Sequence, residues 1–192
     1  MREVCDLRGK LGFMAYHGGS LEVLTDVVAD RAAERSGASY YGVLQPPDLN
    51  WHIPSHLVAA AESDVLDGFL QHVEAVITIH GYGRHGYWTT VLLGGQNRSL
   101  ADHFAAHLRP LLPDYRIETD VDAMPSELRG LHARNPVNLP RQQGVQIELP
   151  PRLRGVGPIW KDWKGPGLVP HSEALIAALV AAATSCVTAP SD

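Results

Sequence analysis

The 192 residues carry 21 acidic and 16 basic side chains, a formal net charge of −5, which offers no basic footprint for nucleic acid. A chain of this length fits one domain (residues 1–192) and is long enough to bury a core on both faces of a sheet. The longest apolar stretch, Ala174 to Ala183, is about half of the ~20 residues a membrane span needs, and the charged start Met1-Arg-Glu-Val-Cys-Asp-Leu-Arg lacks the apolar core of a signal peptide. These features predict a cytoplasmic protein without a membrane partner.

In chain order, Leu11 to His17 reads as a buried strand, followed by two glycines that permit a tight turn and by Ser20 as N-cap of a helix from Leu21 to Arg35. That arrangement predicts His17 at a strand end and Glu22 in the first helical turn, where the helix dipole favours a carboxylate. Ala38 to Leu44 is the next strand. A long connection from Gln45 to His56 follows, with Pro46-Pro47 and Trp51-His52-Ile-Pro-Ser-His56. His52 and His56 lie four apart on a proline-broken loop, so no helical metal pair is implied.

A helix from Ser63 to Val73 leads into the β-branched run Ala75-Val-Ile-Thr-Ile-His80-Gly81, which ends, like the first strand, in a histidine and a glycine. Tyr82 and Tyr87 are candidates to pack at the rim or donate to an oxyanion; Arg84 and His85 have only proximity in their favour. Strands from Tyr87 to Leu93 and from Tyr115 to Thr119 flank a helix from Ser99 to Leu112, stopped by Pro113. The second long connection, Met124 to Gln143, contains Arg129, Arg134 and Arg141 among prolines and asparagines. Irregular loops of this length in a compact domain are more often functional than accidental. Arg134 with Asn135, then Arg152, are the candidates to grip a substrate carboxylate.

Gly144-Val-Gln-Ile-Glu148-Leu-Pro150 is a β-type run that sets a carboxylate among apolar neighbours. A buried carboxylate usually has a metal, a partner or a raised pKa, which makes Glu148 a candidate general base. A helix capped by Ser172, from Glu173 to Val187, closes the chain, and the tail from Ala189 is expected to be disordered. Alternating strands and helices predict an α/β three-layer sandwich with an open, mixed, mostly parallel sheet flanked by helices. In such sheets ligands gather outside the carboxyl ends of the strands. His17, Glu22 and His80 there would make the two-histidine, one-glutamate set of hydrolytic zinc sites. Cys5 and Cys186 form no CxxC signature; two free thiols are expected, a disulfide requiring the two termini to meet.

The segments His17-Gly-Gly-Ser-Leu-Glu22, Trp51-His-Ile-Pro-Ser-His56, Thr78-Ile-His80-Gly, Leu93-Gly-Gly-Gln-Asn97, Asn135-Pro-Val-Asn138 and Gly144-Val-Gln-Ile-Glu148-Leu, in that order, resemble the poly-γ-glutamate hydrolase family. The resemblance implies a fold similar to the zinc carboxypeptidases, zinc (Zn2+) held by His17, Glu22 and His80, and Glu148 as the catalytic carboxylate. It departs from the carboxypeptidases in that four residues separate the first two ligands, so exopeptidase specificity does not carry over. It departs from the family pattern in the tryptophan and proline of Trp51 to His56. The expected activity is zinc-dependent hydrolysis of γ-glutamyl amide bonds in an acidic polymer or peptide. The alternatives are a zinc amidohydrolase of a small acyl or aminoacyl substrate and a non-catalytic acidic-peptide-binding protein.

Overall fold

Apolar runs with few polar interruptions suit strands covered on both faces, and this chain places them at the centre of its sheet. The computed structural model describes residues 1–187; the tail expected to be disordered from Ala189 lies outside them. The strands are β1 (Arg2–Asp6), β2 (Leu11–Gly19), β3 (Ser39–Gln45), β4 (Ala75–Gly81), β5 (Thr90–Gly94), β6 (Arg116–Glu118) and β7 (Gly144–Leu149). The helices are α1 (Thr25–Ser36), α2 (Asp64–His72), α3 (Arg98–Leu111) and α4 (Pro170–Val187). Among the described residues the strands form one sheet in the order β1-β3-β2-β4-β7-β5-β6. β2, β3, β4 and β7 run parallel, whereas β1 and β5 pair antiparallel with β3 and β7. The expected α/β three-layer architecture with a mixed, mostly parallel sheet is present.

The layers are unequal. On one face, Phe13, Ile77, Ile79, Val145 and Ile147 pack against Ala29 of α1, Phe104 of α3 and Leu179 of α4. On the other, Met14, Tyr16 and Val76 meet Leu66 and Phe69 of α2 and Val137 of a loop. With only one short helix on that face, residues 45–63 and 120–143 supply much of its cover. Polar side chains of β4 and β7 therefore point under loops rather than into water. Thr78, His80, Gln146 and Glu148 are all buried.

Several boundaries differ from the sequence reading, each for a tertiary reason. β1 was not anticipated, because Arg2 to Asp6 reads as a charged start; charged side chains are what an edge strand tolerates, and Tyr41 Oη donates to Glu3 Oε1 at 2.5 Å to hold it. β5 begins at Thr90 rather than Tyr87, since Tyr87 N and Thr90 N donate to the carbonyls of Arg84 and Tyr87 in consecutive turns. α4 begins at Pro170, a residue suited to a first helical position, and Ser172 does not cap it: its hydroxyl donates to Leu153 O at 2.7 Å. Ser63 does cap α2, accepting from Leu66 N. Cys5 and Cys186 are both free thiols, Cys5 packed on the α2 face and Cys186 on the opposite face. No described helix is long and apolar enough to cross a membrane.

Candidate active site

Three parallel strands that are neighbours in the sheet, β2, β4 and β7, end in His17, His80 and Glu148. β2 does not run regularly to its end. Its register against β3 shifts between Ala15 and Gly18, so that one extra residue enters β2 beside His17. Bulges of this kind re-aim side chains near sites; here the His17 imidazole comes to lie against the rings of Tyr16, His52 and His80, with centroids 4.9, 4.6 and 4.9 Å away.

The turn after β2 corrects one expectation. Ser20 does not cap α1; its hydroxyl donates to Pro46 O at 2.6 Å, and the helix starts at Thr25 with Leu24 in the left-handed region at φ 77°. Glu22 therefore precedes the helix, and the acid of the first turn is Asp26. Instead of a helix dipole, Glu22 meets two imidazoles and a backbone donor: Oε1 lies 2.9 Å from His17 Nδ1, Oε2 lies 3.1 Å from His80 Nδ1, and Oε2 accepts from Gly81 N at 2.8 Å. Gly19 permits the turn, at φ 72° with Gln45 O only 2.4 Å from where a Cβ would stand.

The outer nitrogens of both histidines donate. His17 Nε2–H reaches Ile53 O at 2.9 Å, and His80 Nε2–H reaches Tyr16 Oη at 3.0 Å. With protons held there, the lone pairs of both Nδ1 atoms converge on the Glu22 carboxylate. Three electron-pair donors within 4.8 Å of one another, all buried, repel unless a cation lies between them. Burial works against charge on His80, but the Glu22 carboxylate outweighs it and raises the imidazole's pKa. Burial likewise opposes ionisation of Glu22, and the His80 and His17 imidazoles outweigh that, holding its carboxyl well below the usual range. Two imidazoles and a carboxylate with the far nitrogens anchored are a donor set that suits zinc.

A hydrogen-bond chain joins this group to Glu148. Tyr16 Oη donates to Asn135 Oδ1 at 3.2 Å, Asn135 Nδ2 to Gln146 Oε1 at 2.8 Å, and Gln146 Nε2 to Glu148 Oε1 at 2.9 Å. Val137 N donates to the same Asn135 oxygen, which fixes the direction of the whole chain. Glu148 is 5% exposed, and burial pushes its carboxyl up to about 7. A carboxyl near neutrality can both take and return a proton at physiological pH.

Arg154 has no part in the sequence reading. Its guanidinium donates to the carbonyls of Leu149 at 3.2 Å and Val23 at 3.0 Å, so it ties the end of β7 to the Glu22 turn. It lies across Gly81, where a Cβ would stand 2.6 Å from its Cζ. The glycine after His80 was the one local sign of it.

A cavity of about 520 Å³ opens over the group, with His17, Glu22, His80, Glu148, Asn135 and Gln146 in its wall. Asn135 is thus brought to the site, although only 2% exposed. Arg134 is exposed and absent from the wall, and Arg152 lies elsewhere, its guanidinium 5.7 Å from the Tyr115 ring centroid. Arg84 pairs with Glu127, Arg129 donates to Met124 O, and Arg141 pairs with Glu74. His85 is exposed and has its ring against Trp88. Tyr82 lines the wall, but its hydroxyl donates to Thr90 O at 2.7 Å. Tyr87 packs against the Tyr82 ring. The loop histidines His52 and His56, together with His132, are in the wall as well.

The fold is an open, mostly parallel α/β sheet with the buried His17–Glu22–His80 group at its strand ends, a donor set of the kind found in metal-dependent hydrolases. The chain belongs to the poly-γ-glutamate hydrolase family, whose sequence profile matches residues 2–156. Among solved structures it is similar to a bacteriophage poly-γ-glutamate hydrolase, with TM-score 0.80 and 19% identity over 97% of this chain and 89% of the other. It is also similar to YndL in a zinc-free form, with TM-score 0.75 and 18% identity over 94% and 88% of the two chains. A more distant likeness is to N-formylglutamate amidohydrolase from Ralstonia eutropha JMP134, with TM-score 0.55 and 14% identity over 95% and 97%. No curated protein matches the chain by sequence.

Proposed function

We propose that this protein is a zinc-dependent hydrolase that cuts γ-glutamyl amide bonds of poly-γ-glutamate or a related acidic peptide. The observation that carries the reading is the convergence of His17 Nδ1, His80 Nδ1 and the Glu22 carboxylate with both outer nitrogens already committed. Membership of the family and the zinc-free form of YndL support the metal and the bond class.

His17, Glu22 and His80 would hold a zinc ion, which when bound would supply Lewis acidity at the scissile carbonyl and the attacking water. Glu148 takes a proton from that water and later delivers it to the leaving nitrogen, which its near-neutral carboxyl allows in both directions. Gln146 holds one Glu148 oxygen so that the other faces the water. Asn135 has three of its four hydrogen-bonding positions engaged inside the protein, leaving one amide proton for the substrate.

The test is metal content by elemental analysis together with release of new amino groups from poly-γ-glutamate. The expected result is about one zinc per chain, cleavage abolished by a chelator and restored by zinc. A protein that takes up no zinc when supplied with it would sink the mechanism. Tight polymer binding with no new amino groups would favour a binding protein. The shared fold of N-formylglutamate amidohydrolase motivates a second reading, deacylation of a small acylated amino acid; it predicts turnover of short substrates and none of polymer.

The relay makes its own prediction. Asn135→Ala takes from Gln146 Oε1 its donor and from the Tyr16 hydroxyl proton its Asn135 acceptor, at about 1–3 kcal/mol of stability. It also loosens the support of both His80 and Glu148, so zinc affinity or turnover should fall about 10–100-fold. Denaturation and zinc titration read the two effects, and wild-type zinc affinity and turnover in a destabilised variant would show that the relay supports the fold alone.

A further inference from the structure

If the substrate is a γ-linked glutamyl chain, every residue presents a free α-carboxylate, and the cavity must offer it a donor. Its wall contains no arginine or lysine among the described residues. Arg84, which follows the His80 strand closely, is paired with Glu127. Of the imidazoles outside the metal group, His52 lies against His17. That leaves His56 and His132.

These two come from different loops and meet across the cavity. His56 stands in a short 3-10 turn, Ser55–Leu57, of the first long connection, and His132 in the second; their ring centroids are 4.9 Å apart with planes tilted by 40°. His132 is exposed, but its ring is anchored. Its Nδ1 accepts from Arg134 N at 3.1 Å, which places the proton of the neutral ring on Nε2 and makes that nitrogen a fixed donor. Its carbonyl accepts from Asn135 N at 2.9 Å and from Asn138 Nδ2 at 3.0 Å, and the same Asn138 amide also holds Gly130 O. The Asn135-Pro-Val-Asn138 segment is thereby explained as the scaffold that holds His132 in place.

We propose that His56 and His132 form a carboxylate subsite, one imidazole N–H from each loop, that takes the α-carboxylate of a γ-linked glutamyl residue beside the scissile bond. The proposal rests on the γ-glutamyl hydrolase reading. It moves substrate recognition from Arg134 and Arg152 to an imidazole pair that spans the two connections. A substrate that bridges the pair would also draw the two loops together over the metal group.

The experiment compares wild type with the His56→Ala, His132→Ala double variant, each loaded with zinc. The substrates are a γ-glutamyl oligomer and the same oligomer with its α-carboxylates converted to carboxamides. In wild type the acid should be cut with a kcat/KM about ten-fold or more above the amide, since hydrogen bonds to a charged group are worth more than neutral ones. In the double variant that preference should collapse toward one through KM, with zinc content unchanged. The His56→Gln, His132→Gln variant keeps an N–H donor at each position and should recover part of the preference. Equal cleavage of acid and amide by wild type would overturn the proposal, as would a double variant that keeps the preference. A preference lost in Arg84→Ala but kept in the histidine variant would assign the carboxylate to that arginine and overturn it too. Failure of wild type to cut either oligomer would instead remove the γ-glutamyl reading itself, a separable result.

Discussion

Glu148→Gln is expected to retain zinc and lose between about 10²- and 10⁴-fold in kcat, the range that general acid–base catalysis contributes. The substitution is isosteric, and the new amide oxygen can still accept from Gln146 Nε2, so the wall of the cavity is preserved. What disappears is the group that carries the proton between water and leaving nitrogen. A variant that turns over at the wild-type rate would remove Glu148 from the mechanism. Stability should move the other way. Burial raises the Glu148 carboxyl from its ordinary 4.5 to about 7, so wild type loses stability as pH rises through that interval, because the folded protein must then hold a buried charge. In chelator at pH 8 the glutamine variant should therefore be the more stable protein, by on the order of 3 kcal/mol, with the gap closing near pH 4. Urea denaturation at the two pH values reads it, and an equal gap at both would rule out the buried Glu148 charge as its cause.

His17→Ala and His80→Ala should each fail to hold zinc, and lose turnover as a result. Either change leaves Glu22 and one imidazole, too few donors for a tetrahedral metal that keeps one position open. The fall in affinity should exceed the roughly 10–100-fold that loss of a supporting hydrogen bond costs. Competition against a chelator of known affinity measures it, and zinc retained in either variant would overturn the ligand assignment. The contrast with Glu148→Gln is diagnostic, since that variant keeps its metal and loses only the chemistry. In the metal-free state each histidine change also removes one of the two imidazoles that keep Glu22 ionised. The carboxyl of Glu22 should then titrate higher than in wild type.

Parts of this site were legible because chemistry needs particular side chains at particular places. Histidines that close apolar runs and meet a glycine at His17-Gly18 and His80-Gly81 mark strand ends, and strand ends in an open α/β sheet are where ligands bind. Glu148 stood out because β7 sets a carboxylate among apolar residues. The reading of Glu22 as a first-turn acid failed because a cap is a contest among hydroxyl partners. Ser20 gives its proton to Pro46 O, a residue distant in sequence, and the helix starts later. Arg134 and Arg152 were drawn from their places in the second long connection and just beyond the Glu148 strand, and a place in the chain does not say which way a side chain faces.

The sequence by itself determined the alternation of strands and helices, the three strand-end residues and the two long connections, since periodicity and strand-end chemistry are written within a few neighbouring residues. Only the tertiary structure decided the bulge that turns His17 toward its partners, the Tyr16–Asn135–Gln146 relay, Arg154 across Gly81 and the meeting of His56 with His132. Each of these depends on how loops and strands far apart in the chain pack over one face of the sheet, and no local pattern encodes that distance.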